Sequence, residues 1–279
     1  MKNILFPTDF SENSWNAMAY AMPFFKNTHC NFYVLNVCRP PAYIGGDIPY
    51  VPSAGTVEET IISPAKKTME KFLKRIEKLS SNSKHNFITL IDYDFLIDSV
   101  KRHIQEKQID LIVMGTKGAS GFKGKMLGSN TGDVITRVQC PTFIIPEAAT
   151  YKKPKEIAFP TDYNLLYNIK ILDDLLEIGS RFDAAIRVLH IAKKSEVLNS
   201  EQEENKQLLE GYLKEQKHSF HQITNGKLED AIQCFSQSRD IDIIVMVAKN
   251  LNFFQQILFK PTVEEISYHT EIPFLVLHE

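Results

Sequence analysis

An internal repeat constrains this chain more than any other feature. Ile4–Asp9 reads I-L-F-P-T-D and returns at Ile157–Asp162 as I-A-F-P-T-D, an offset of 153 residues. Further along, Ile109–Met114 returns at Ile241–Met246 and Cys140–Phe143 at Ile272–Leu275, both at an offset of 132. The offsets differ by 21 residues, so the first copy carries an insertion of that size, and the run Arg39–Thr60, rich in proline and glycine, is its natural place. Repeats must be found first because a missed one miscasts the whole fold. At a typical ~150 residues per domain, a chain of 279 residues accommodates two. The expected division is 1–147, a linker at 148–155 containing Lys152-Lys153-Pro154-Lys155, and 156–279.

Strand and helix signals alternate within the first copy. Runs of β-branched and aromatic residues predict strands at Asn3–Thr8, Asn31–Val37, Asn86–Ile91, Asp110–Gly115 and Thr142–Ile145. Between them, Ser11 predicts one helix N-cap, Ser63 followed by Pro64 opens a second helix, and Asp94 caps a third. The nearly continuous apolar runs at Asp110 and Thr142 suit a parallel sheet covered by helices on both faces. The expected fold class is α/β: two tandem doubly wound, Rossmann-like domains, each a five-stranded, mainly parallel sheet.

Composition removes several function classes. Thirty-two basic against 34 acidic residues leave a formal charge of -2, so no broad attraction for nucleic acid is expected. No apolar run approaches the ~18 residues a membrane span needs, and the N-terminus lacks a signal-peptide pattern. Cys30, Cys38, Cys140 and Cys234 form no C-x-x-C and read as buried, reduced thiols, which points to the cytoplasm. His218 and His221 form H-x-x-H, but a half-exposed edge strand explains the pair better than a metal site.

Six of the twelve glycines lie between Gly115 and Gly132, directly after an apolar strand and leading into a helix. A glycine loop feeding a helix N-terminus offers backbone amides and the positive end of the helix dipole, an arrangement suited to anions. On this reading Gly115 lets a ligand approach and Gly118 makes a turn. Gly128, Ser129 and Asn130 present donors, while Lys117, Lys123 and Lys125 add charge. The bland alternative is a solvated loop with glycines at its turns. G-x-x-x-x-G-K-[ST], G-x-G-x-x-G and G-x-S-x-G are all absent, which excludes a P-loop, a dinucleotide fingerprint and a hydrolase elbow.

The pattern Gly115-x2-Gly118-x9-Gly128-Ser129, with Pro7-Thr8-Asp9 ahead of it, resembles the universal stress protein family. The resemblance covers both copies, as in tandem members, and implies an adenine nucleotide alpha hydrolase-like fold. It further implies ATP, or ADP or AMP, with adenine against Val37 and Met114 and with Asp9 beside the ribose and phosphates, where it would meet Mg²⁺. The phosphates would be held by Gly115, Gly118, Gly128 and Ser129, with Asn130 a further donor, Lys117 nearby, and Pro7 and Thr8 framing Asp9. In the second copy Gly115, Gly118, Gly128 and Ser129 map onto Val247, Asn250, Lys260 and Pro261. Every loop position is lost there, and Asp162 survives as a turn-capping residue.

Three functions follow: a nucleotide-binding stress-response or signalling module with one site in the first domain, a structural or interaction protein with an empty loop, or a slow ATP hydrolase. The last has least support, because Asp92, Asp94 and Asp98 read as capping and solvated groups rather than catalytic ones. The partners expected are an adenine nucleotide and a protein, without membrane or nucleic acid. Terminal strands Thr142–Ile145 and Phe274–Leu277 are expected to pair as an intrachain pseudo-dimer, and a homodimer is the alternative use of such edges.

Overall fold

The computed structural model describes residues 1–40, 53–79, 81–116, 128–164, 169–192, 197–224, 228–248 and 271–278. The chain divides into two compact units, one holding the described residues up to Glu147 and the other those from Ala148 onward.

The first unit is a parallel sheet of β1 (Lys2–Pro7), β2 (Cys30–Cys38), β3 (His85–Tyr93), β4 (Leu111–Gly115) and β5 (Thr142–Ile145), in the order β3-β2-β1-β4-β5. The order reverses between β1 and β4, where Ile4 pairs with Leu111 and Leu5 with Ile112. Such a reversal opens a crevice beyond the carboxyl ends of the strands. Burial follows the apolar runs: every residue of β4 and β5 is buried, and Ile4, Leu5 and Phe6 are fully so.

The helices cover this sheet for identifiable reasons. Ser11 caps α1 (Glu12–Phe24), its hydroxyl accepting from the Ser14 N–H at 3.2 Å. α4 (Leu96–Lys107) ends at Gln108 in the left-handed conformation. Its start lies one residue beyond the expected cap: Phe95 occupies the N-cap, and Asp94 instead accepts the Phe95 N–H at 2.8 Å. The second helix begins ten residues before Ser63. Ser53 caps α2 (Ala54–Val57), a π-helical turn Glu58–Ile62 follows, and the chain runs on into α3 (Ser63–Leu79). Thus part of the expected insertion is helical, and its residues 41–52 lie outside the described residues. Pro64 follows the π-helical turn, a local departure from α-helical bonding at the point where proline has no N–H to give, so the helix passes through Ser63-Pro64 and does not start there. α3 is tied to α1 by Arg75, which forks onto Glu12 at 2.6 and 2.7 Å and lies 3.9 Å over the Trp15 ring.

The strand ends differ slightly from expectation, with β2 and β3 longer and Thr8 beyond β1. Asp92 is a larger difference. It is not a solvated cap: its Oδ2 accepts from Ser99 at 2.5 Å and Arg102 at 2.6 Å, and meets His103 Nε2 at 2.8 Å. Burial would raise its pKa, but the Ser99 and His103 hydrogen bonds and the charges of His103 and Arg102 outweigh it and hold the carboxyl below its usual range. This network fastens α4 to the end of β3.

In the second unit β6 (Glu156–Pro160), β7 (Ala185–Ala192), β8 (His218–Thr224), β9 (Ile243–Val247) and β10 (Phe274–Leu277) form a parallel arrangement ordered β8-β7-β6-β9-β10. α6 (Ile169–Phe182), α7 (Ser200–Leu213) and α8 (Leu228–Ser238) connect them. The repeat is visible atom by atom. Asp110 N–H donates to the Asn3 carbonyl at 2.9 Å and Asp242 N–H to that of Glu156 at 2.9 Å. Phe10 and Tyr163, each following a Thr-Asp pair, both take positive φ, 62° and 57°. Among the described residues the cysteines are free, as expected, and Cys30 and Cys140 are buried, but Cys38 is only partly buried and Cys234 is exposed on α8. His218 and His221 sit on β8 and bond to the Gln216 carbonyl and the Ser219 hydroxyl, and no cluster able to hold a metal occurs among the described residues. No helix among them is long and apolar enough to cross a membrane.

Candidate functional site

The candidate site lies at the crevice where the first unit's strand order reverses. β1 ends at Pro7, and Thr8 is buried immediately beyond it. The Thr8 hydroxyl meets Ser14 Oγ at 2.9 Å and accepts from the Phe10 N–H at 3.0 Å, while its carbonyl accepts from Asn36 Nδ2 at 2.8 Å. These bonds hold the β1–α1 turn rigid and leave Asp9 exposed at its apex, accepting the Ser11 N–H at 3.1 Å. Asp162 makes the same turn with Asn164 at 3.1 Å, so turn capping accounts for both aspartates in part.

From the neighbouring strand, Met114 and Gly115 end β4. Met114 is buried in a cluster with Leu5, Ile112 and Val134, and Val37 packs against that cluster from β2, so the structure brings these two residues to one apolar wall. The loop that follows returns to its starting point: Gly128 N–H donates to the Thr116 carbonyl at 2.6 Å, and the Thr131 hydroxyl donates to the Gly115 carbonyl at 2.9 Å. Gly128 is the N-cap of α5 (Ser129–Arg137), and no side chain caps this helix. Ser129 and Asn130 are exposed on its first turn. The first amides of a helix lack intrahelical acceptors, and the dipole favours an anion there.

Two expected roles change. The Gly128 N–H is committed to Thr116 and is not a donor for a ligand, which leaves that role to Ser129 and Asn130. Gly115 is glycine chiefly because α1 approaches it: a Cβ there would lie 2.1 Å from Asn13 Oδ1 and 3.1 Å from the Asn13 carbonyl oxygen. Lys117, Gly118, Lys123 and Lys125 lie outside the described residues, as do Asn250, Lys260 and Pro261 of the second copy. Val247 is buried at the end of β9.

Asn13 was not singled out by the sequence, though it abuts Gly115 at the end of β4. Its signal is a paired change between copies: the offsets carry Asn13 onto Leu166 and Gly115 onto Val247, so a polar residue beside a glycine becomes two apolar side chains.

Chemically, this end of the first unit's sheet carries an apolar cluster, the N-terminus of α5, hydroxyls and one exposed carboxylate. It suits a ligand with an apolar ring and an anionic tail. Residues 1–146 match the family model described as the Universal stress protein family. A universal stress protein of Methanocaldococcus jannaschii is 28% identical over 155 residues, spanning 56% of this chain and 84% of its own length. A second from that organism is 26% identical over 156 residues, 52% of this chain and 94% of its own. A universal stress protein structure from Archaeoglobus fulgidus shares the fold at a TM-score of 0.72 and 15% identity, covering 99% of this chain and 98% of that one.

Proposed function

Because the chain belongs to the universal stress protein family, we propose that it is a cytoplasmic stress-response or signalling module that binds one adenine nucleotide, ATP, ADP or AMP, in the domain 1–147. After the linker 148–155, the domain 156–279 is a degenerate partner without a nucleotide site. The observation that carries this reading is the pair of bonds from Gly128 N–H to the Thr116 carbonyl and from the Thr131 hydroxyl to the Gly115 carbonyl, which set the first turn of α5 beside the end of β4. On this reading adenine rests on Val37 and Met114, Asp9 serves the ribose and phosphates, and Gly118, Lys117, Ser129 and Asn130 serve the phosphates. Pro7 and Thr8 hold the turn. A protein partner reads the bound state.

Asp9 offers one exposed carboxylate. That fits Mg²⁺ carried in on phosphates, since this ion keeps most of its shell as water and phosphate oxygen and takes one or two protein carboxylates. Mg²⁺ would neutralise phosphate charge. The chain's own groups bind ground and transition states about equally, which does not lower a chemical barrier. Turnover should therefore fall well below the roughly 1–100 per second of kinases. A steady-state phosphate-release assay with Asp9→Ala as control checks this. Negligible release together with a thermal shift on adding ATP is expected; rapid turnover that vanishes in the variant would make the protein an ATP hydrolase.

A further inference from the structure

Asn13 stands in the first turn of α1 with 7% of its surface exposed, and neither its Nδ2 nor its Oδ1 has a hydrogen-bond partner among the described residues. Burying a carboxamide unmet at both ends costs stability, and native folds rarely tolerate it without a reason. Its surroundings suggest the reason. The side chain fills the space a Cβ would take at Gly115, whose carbonyl is held by Thr131 of α5. It therefore sits where α1 meets the end of β4, the strand that borders β1 at the reversal of strand order. The second copy, which lacks the glycine loop, replaces the pair Asn13 and Gly115 by Leu166 and Val247. An apolar pair is the better solution for packing alone, so the polar pair persists only where the loop does.

We infer that Asn13 is a specificity-determining residue of this site and hydrogen-bonds the ribose hydroxyls of the nucleotide, an inference that rests on the nucleotide reading above. A hydroxyl both gives and takes a hydrogen bond and can meet Nδ2 and Oδ1 together; a phosphate oxygen only accepts and would leave Oδ1 unmet. The base is excluded by strand geometry. Met114 packs on the side of the sheet with Leu5 and Val134, and Gly115, one residue on, faces the opposite side.

The test is calorimetric titration of the full chain and of Asn13→Leu with ATP, 2′-deoxy-ATP and 3′-deoxy-ATP, with ligand-free melting measured alongside. The wild type should prefer ATP to at least one deoxy analogue by about tenfold, a typical worth for such a hydrogen bond. Asn13→Leu should lose about tenfold in ATP affinity together with that preference, while its ligand-free melting temperature holds or rises. Asn13→Ser, too short to reach, should lose the same preference and serves if the leucine does not fold. A variant that keeps the wild-type preference for ATP, whether or not its melting point falls, overturns the inference and leaves the nucleotide reading standing. A wild type that binds none of the three overturns both.

Discussion

Replacing Gly128 by valine should weaken adenine-nucleotide binding by at least about a hundredfold, equivalent to about 2.7 kcal/mol, while far-ultraviolet dichroism stays unchanged. Gly128 sits at φ -69° and ψ 154°, a conformation open to any residue, so the loss would not come from backbone strain. It would come from bulk. A branched side chain at the N-cap stands over the first-turn amides of α5, where Ser129 and Asn130 are exposed. Valine is also a poor N-cap, costing about 1 kcal/mol of helix stability. The Gly128 N–H to Thr116 bond uses backbone only and survives the substitution, so the loop still closes. Titration of the variant beside the wild type reads the effect directly, and unchanged affinity would return the loop to a solvated connection.

Acid should weaken the fold well before its carboxylates titrate. His278 follows β10 and is largely buried, and burial alone pulls its pKa from 6.5 to about 4. In the unfolded chain the same imidazole takes up a proton near its ordinary value of about 6.5. Between those values the unfolded state holds the proton and the folded state does not, so stability falls as pH drops from about 6.5 toward 4. At about 1.4 kcal/mol per pH unit, less a discount for its partial exposure, the loss is about 2–3 kcal/mol. His85 and His221, also lowered by burial, act in the same direction. Asp92 acts only at lower pH: its pKa is depressed, so its contribution is present above the ordinary carboxylate range and is lost as pH falls through the folded value. Urea unfolding at pH 7 and pH 4.5 should show this loss, and His278→Leu should remove most of it. A variant as acid-sensitive as the wild type would assign the loss to other groups.

How far each feature could be read in the sequence depended on the range of the interactions behind it. The strands were legible because β4 and β5 are short, nearly continuous apolar runs and because each recurs at a constant offset. Ser11 was legible as a cap because capping is local, three residues from Ser14. The start of the second helix was not, since Ser53 and Ser63 carry similar local signals and the choice depends on how the insertion packs. Asp92 joins a strand to the face of a helix through Ser99, Arg102 and His103; the helical spacing of Ser99 and His103 was a signal that local capping arguments passed over. At the candidate site, the glycine cluster pointed to the end of the sheet where β4 leads toward α5. The role of Gly115 against Asn13 needed tertiary structure, because those residues are distant in the chain and meet only where α1 packs against the end of β4.

On the proposed reading nucleotide binding belongs to the copy that keeps its glycine loop. Calorimetric titration of the 279-residue chain with ATP and Mg²⁺ measures this. One nucleotide per chain is the predicted result, since Val247, Asn250, Lys260 and Pro261 replace the loop residues of the second copy. Two equivalent sites per chain, or no binding at all, would contradict it.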